Sequence, residues 1–177
     1  MRSTVTLLAL AFALSPSLPA QQLSNARFYV AGGFELTPLA GDGLGLSAQA
    51  GYIRQFSRLG LRLGVAYFER HRQNASVFGD AYASTVAATF DVTYDLTRST
   101  VRSYLIGGLS AYRSSGWWRY EGGDRVDYAR VGMAPVLGAG LRFPLGTAEA
   151  FSELRLHVGK SFNTTRVLWP LSFGIRF

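Results

Sequence analysis

The sequence has no cysteine and a single lysine, Lys160. The first absence excludes disulfides and thiolate chemistry, so an exported chain must draw its stability from elsewhere. The second argues against a water-exposed surface, which normally carries lysine and glutamate freely. Past residue 20 no uninterrupted apolar run approaches the ~20 residues of a membrane-spanning helix. No stretch of ~10 or more residues fits helical spacing better than a period of two. Linkers, low-complexity tracts and fixed-period repeats are also missing, which leaves 177 residues as one domain's worth of chain. No Cys/His cluster has metal-ligand spacing, and Gly138 and Gly140 lack the third glycine and following helix of a dinucleotide site, so no metal and no cofactor is expected. The formal charge is +7, but the arginines are scattered without a basic stripe, which argues against a nucleic-acid partner.

What is present begins with an export signal. Residues 1–20, MRSTVTLLALAFALSPSLPA, set Arg2 before an apolar stretch from Val5 to Leu14 and a Pro/Ser-broken segment ending at Ala20. That is the layout of a secretory signal peptide, and the apolar stretch is about half the length a membrane span needs. The expected organisation is a signal peptide over 1–20 and one domain over 21–177.

Strict alternation fills the rest. The last segment sets Val167, Trp169, Leu171, Phe173, Ile175 and Phe177 on one face against Leu168, Pro170, Ser172, Gly174 and Arg176, which is a strand pattern. Comparable runs start at Arg27, Leu44, Leu59, Tyr82, Val131 and Glu153, and an eighth, Val101 to Arg113, is ambiguous in face because Leu105 and Ile106 are both large. Eight strands of about 11 to 16 residues are predicted, longer than the ~5 to 6 of soluble sheets and sufficient for the ~9 to 11 of a tilted membrane strand. Short links (Ser57 and Arg58, Thr97 to Thr100, Pro144 to Ala148) alternate with others (Leu39 to Gly43, His71 to Asp80, Ser114 to Tyr128, Ser161 to Arg166). Outer-membrane barrels alternate short periplasmic turns with longer outer loops.

Periodicity alone does not orient the faces, since a soluble ligand-binding barrel would turn its apolar face inward. The polar face, mostly Gly, Ser, Thr and Ala, suits the narrow interior of eight strands. Tyr52, Phe56, Tyr94 and Phe143 fall at the short-turn ends, and Tyr67, Tyr82 and Trp169 at the other, as two aromatic girdles would. The predicted fold is all-β, an eight-stranded antiparallel up-and-down transmembrane barrel. Pro135 and Pro170 lie inside strands, and a bulge or local opening is expected at each.

In alternation, loop order and the terminal PLSFGIRF, residues 26–177 resemble the small eight-stranded outer-membrane β-barrel proteins, such as OmpX and the barrel domain of OmpA. The resemblance implies a monomer resident in the outer membrane of a Gram-negative-type bacterium, in contact with its lipids and lipopolysaccharide. It also implies that Phe173 and Phe177 form a C-terminal signal for the outer-membrane insertion machinery. Unlike OmpA, nothing follows the eighth strand, so no peptidoglycan-binding role is implied.

The expected inward set holds Glu35, Asp91, Asp95 and Glu153 with Arg62, Arg142, Arg155 and Arg176. In a narrow lumen such charges must pair, so a salt-bridged plug is expected, with a gated polar path as the alternative. His157, Ser161 and Glu153 invite comparison with lipid A deacylases, which hold His and Ser two residues apart on one strand. Here they are four apart, about 13 Å at ~3.3 Å per residue, too far for proton transfer, and no catalytic residue is assigned. Trp117, Trp118, Arg119 and Tyr120 in the third outer loop form a candidate interaction patch, read either as girdle and lipopolysaccharide contact or as a site for a surface partner. A non-enzymatic structural or surface-interaction role is the leading expectation. A small passive pore or hydrophobic-ligand carrier comes second, and a lipid A-modifying enzyme third.

Overall fold

The computed structural model describes residues 26–36, 45–75, 79–119, 123–161 and 164–177. The expected signal peptide lies outside them. Eight strands run β1 (Ala26–Leu36), β2 (Gly45–Phe56), β3 (Leu59–Ala75), β4 (Gly79–Asp95), β5 (Arg102–Arg119), β6 (Arg125–Leu145), β7 (Ala148–Ser161) and β8 (Thr164–Arg176). Each pairs antiparallel with the next, and β8 pairs with β1 to close the barrel. Closure leaves no free sheet edge at the seam: the ladder runs from Tyr29↔Arg176 to Leu36↔Trp169, and the amide of Phe177 still donates to the carbonyl of Phe28 at 2.9 Å.

The period-two pattern resolves into a lipid-type exterior and a packed interior. Leu63, Val65, Leu105, Leu109, Leu137, Leu141, Leu154 and Phe173 are exposed, while Arg62, Asp91, Thr93, Ser110, Glu153 and Ser172 are buried. The apolar face therefore points outward, the inverse of a soluble protein. Strand β5 loses its ambiguity: Leu105 is exposed and Ile106 is buried. The interior is more aromatic than a Gly/Ser/Thr/Ala filling would be, since Tyr29, Phe68, Tyr104 and Phe151 also point in. Glycines on facing strands give these rings room. A Cβ at Gly140 would lie 2.5 Å from Cζ of Tyr104, and one at Gly64 would strike the Tyr29 hydroxyl.

At one end the connections are tight. Ser57 takes a positive φ of 56° in the β2–β3 turn, and Gly146 takes 63° between β6 and β7, a conformation that favours glycine at the second site. At the other end the ladders run further than the alternation predicts. Strands β5 and β6 stay in register from Arg102↔Arg142 to Arg119↔Arg125, so only residues 120–124 lie between them. Beyond the bilayer both faces of a ribbon meet water, and apolar alternation fades although backbone pairing continues.

Both prolines interrupt a ladder without shifting its register. The β6–β7 pairs end at Val136↔His157, directly before Pro135, and from Arg125 to Pro135 strand β6 pairs only with β5 among the described residues. The β7–β8 ladder skips Arg155 and Leu156, opposite Pro170 and Trp169, and resumes at His157↔Leu168. Pro170 keeps its place opposite Glu35 of β1. Its missing N–H thus falls on the β7 side.

Candidate functional site

The lumen is filled in layers from the tight-turn end. Lowest lie Arg27 and Arg176, which share the Glu149 carboxylate, Arg27 at 3.0 Å. Beside them Arg142 donates to Asp95, and its guanidinium stacks 5.2 Å from the Tyr104 ring centroid. The next layer is a closed four-residue cluster from β3, β4 and β7. Arg62 bridges Asp91 at 3.1 Å and Glu153 at 2.6 Å; Arg155 bridges the same two carboxylates at 3.1 and 2.9 Å. Two guanidinium groups and two carboxylates make it neutral, and all four side chains are at most 4% exposed.

Glu153 is the hub. Its Oε1 accepts from Arg62 Nη1 at 2.6 Å and from the Tyr104 hydroxyl at 2.6 Å. Its Oε2 accepts from Arg62 Nη2 at 3.1 Å and Arg155 Nε at 2.9 Å. Four donors use about all the lone-pair sites of a carboxylate, and the Tyr29 ring supports Arg62 at 5.0 Å. Glu153 is thus fully paired, while Asp91 Oδ1 and Arg155 Nη2 of the same cluster have no hydrogen-bond partner among the described residues; buried charge is tolerated only when paired. The cluster is a neutral polar layer across the barrel.

Above it the lumen holds a separate pair and neutral polar contacts. Glu35 pairs with Arg70, and Thr85 Oγ1 donates to Ser114 Oγ at 3.0 Å. The His157 ring packs edge-on to Phe68 at 5.6 Å.

All eight expected lumen charges, Glu35, Arg62, Asp91, Asp95, Arg142, Glu153, Arg155 and Arg176, are buried here. They divide into separate pairs and one cluster. The alternation missed Arg27, Arg70, Glu149 and Tyr104 as partners. Parity held the signal, since Arg70 lies eight residues from Arg62 on β3 and Glu149 four from Glu153 on β7, each on the inward face.

Trp117, Trp118 and Arg119 belong to strand β5, which corrects their expected position in a loop; Tyr120 lies outside the described residues. Neighbouring strand residues face opposite ways. Trp117 faces out, with the Arg125 guanidinium 5.1 Å from its ring centroid and Arg125 paired to Asp127 at 2.7 Å. Trp118 shares the inward face of Tyr112, so the two indoles do not form one patch. Arg113 and Arg119 are exposed on the Trp117 face.

Glu153 has no oxygen to spare for His157, and the Ser161 side chain lies outside the described residues. Phe173 and Phe177 are exposed on the outer face, at 53% and 61%.

No family model and no curated protein matches the sequence. Solved structures do. Neisserial surface protein A superposes with a TM-score of 0.60 at 19% identity, over 85% of this chain and 94% of that one. A major outer membrane protein of Thermus thermophilus gives 0.57 at 15% identity, over 86% and 98%. Ail, the attachment invasion locus protein of Yersinia pestis, solved with the heparin analogue sucrose octasulfate, gives 0.52 at 16%, over 86% and 97%. Identities this low carry architecture, and the architecture is unambiguous: the chain has the fold of the small eight-stranded outer-membrane β-barrels.

Proposed function

We propose that the chain is a non-enzymatic, monomeric protein of the bacterial outer membrane, with its tight turns in the periplasm and its β5–β6 ribbon at the cell surface. Its lumen is sealed, and its work is done by the ribbon, through lipopolysaccharide and a surface partner. The ribbon's outward face carries the reading. Arg113, Trp117, Arg119 and Arg125 follow directly on the exposed apolar side chains Val131 and Met133. Strand β6 has 21 residues, about 50 Å along the barrel axis at ~3.3 Å per residue and ~40° tilt, against an apolar band of ~25 Å. The ribbon tip therefore stands clear of the lipid, and its arginines lie where lipopolysaccharide phosphates would be.

Ail was solved with a sulfated polyanion, which is compatible with an arginine-bearing surface on this fold. Phe177, exposed at the periplasmic rim, and Phe173, four residues above it on the same outward face, are the proposed insertion signal. Each basic side chain near an anionic membrane surface contributes ~1 kcal/mol. Arg113→Gln, Arg119→Gln and Arg125→Gln together are expected to weaken binding of purified lipopolysaccharide by refolded protein about tenfold to a hundredfold. Unchanged affinity in a folded triple variant would sink the proposal.

A further inference from the structure

At the tight-turn end the basic side chains outnumber the acidic ones. Asp95 and Glu149 are the only side-chain carboxylates there among the described residues, and both are taken: Asp95 accepts from Arg142, and Glu149 from Arg27 and Arg176. Arg54, Arg58, Arg98 and Arg102 are left over. None of the four makes an ion pair among the described residues; Arg58 is half-buried and the other three are exposed.

These four lie on one side of the rim. Arg54 is on the outward face near the end of β2, Arg58 is in the β2–β3 turn, Arg98 is in the β4–β5 link, and Arg102 opens β5. Hydrogen bonds fix the two connections that carry them. The Asp95 amide donates to the Arg58 carbonyl at 2.8 Å and the Leu96 amide to the Ser103 carbonyl at 2.8 Å, while the Ser103 amide donates to Thr97 Oγ1 at 2.9 Å. The exposed apolar face comes down to meet the charges: Phe56, Leu59, Tyr94, Leu96 and Val101 are between 41% and 49% exposed. The Arg54 guanidinium lies 5.1 Å from the Phe56 ring centroid.

We propose that this half of the rim is a binding collar for phospholipids whose head group carries a net negative charge. The surface passes directly from apolar side chains to guanidinium groups without carboxylate partners, which matches a ligand with an acyl chain and an anionic phosphodiester. Guanidinium groups suit phosphate oxygens in geometry as well as charge. A zwitterionic head group offers the same phosphate with its own ammonium beside it, and so gains less from the excess positive charge. A soluble acidic partner would leave the apolar part of the surface uncovered. The collar rests on the membrane orientation proposed above, and adds a lipid class in the leaflet opposite the ribbon.

The chain has no cysteine, so single reporters can be placed in the full-length mature protein. Leu96→Cys lies among the four arginines, and Ala150→Cys lies on the outward face of β7, away from them; each carries a bimane. Both are refolded in vesicles of phosphatidylcholine and phosphatidylglycerol, with folding confirmed by heat-modifiable gel mobility in the same sample. The quencher is one nitroxide-labelled acyl chain, carried either by phosphatidylglycerol or by phosphatidylcholine, and the readout is the ratio of the two quenching efficiencies. That ratio is expected to be at least about twofold higher at residue 96 than at residue 150. Salt at ~1 M, where the Debye length is ~3 Å, should bring the two together. Arg54→Gln, Arg58→Gln, Arg98→Gln and Arg102→Gln combined should do the same, and the corresponding lysine substitutions should keep the difference. Equal ratios at the two reporters would overturn the collar and leave the arginines to a soluble acidic partner. A difference that survives high salt, or that persists in the folded glutamine variant, would overturn it too. A chain that fails to fold into vesicles at all would instead count against the membrane reading.

Discussion

Glu153→Gln replaces the hub of the sealed cluster at constant shape. The amide oxygen can still accept from two donors, but the new NH₂ faces N–H groups of Arg62 or Arg155, and the four-residue cluster goes from neutral to one excess positive charge. Counting four charge-assisted hydrogen bonds at ~1.5 to 3 kcal/mol each would give about 6 to 12 kcal/mol. That overcounts, because the four share one acceptor and two of them one donor residue, and such losses are not additive. Removing one partner of a buried ion pair costs ~3 to 5 kcal/mol, chiefly by leaving charge uncompensated, and this range is the expected loss. The assay is urea unfolding of vesicle-refolded protein, read by tryptophan emission and gel mobility. Arg125→Gln is the internal control. Its pair with Asp127 is 50% and 69% exposed, and an exposed pair contributes ~0 to 1 kcal/mol. A Glu153→Gln loss as small as the control's would refute the claim that this cluster is a low-dielectric seal.

Three further outcomes are expected from the same packing. Gly64→Ala should cost about 1 to 3 kcal/mol by overpacking against the Tyr29 hydroxyl, and Tyr29→Phe in the same chain should recover part of that loss in urea unfolding. Wild type should add no conductance to planar bilayers, while Arg62→Ala with Glu153→Ala should give small openings; frequent openings from wild type would contradict a closed lumen. Phe177→Ala should slow insertion by outer-membrane machinery in reconstituted vesicles while unassisted refolding into detergent stays within about twofold, since the Phe177 amide that bonds Phe28 is kept.

The barrel was legible in the sequence because lipid acts on every other residue. Wherever a strand crosses the apolar band, its outward side chains must be apolar and its inward ones small or paired, and Leu61 to Tyr67 or Phe90 to Leu96 show the alternation without a break. Beyond the band the constraint disappears, and the ends of β5 and β6 read as a loop although their backbones pair as far as Arg119↔Arg125. The same loss hid the opposed faces of Trp117 and Trp118. Inside the lumen, parity identified the charged residues but not their partners. Whether Glu35 meets Arg70 or another cation depends on the stagger between strands, which alternation does not encode. Proline was informative: a residue without a donor in a closed barrel had to break a ladder, and Pro135 and Pro170 each do.

The outward apolar face is what separates this chain from a soluble barrel of the same topology. Its most direct test is to express the full chain in a Gram-negative host and fractionate the cell, then run the recovered protein on a gel with and without boiling. Recovery in the outer-membrane fraction, with a faster-migrating unboiled band that shifts on heating, is the predicted result. Mature protein in the soluble periplasmic fraction, stable without detergent, would contradict it.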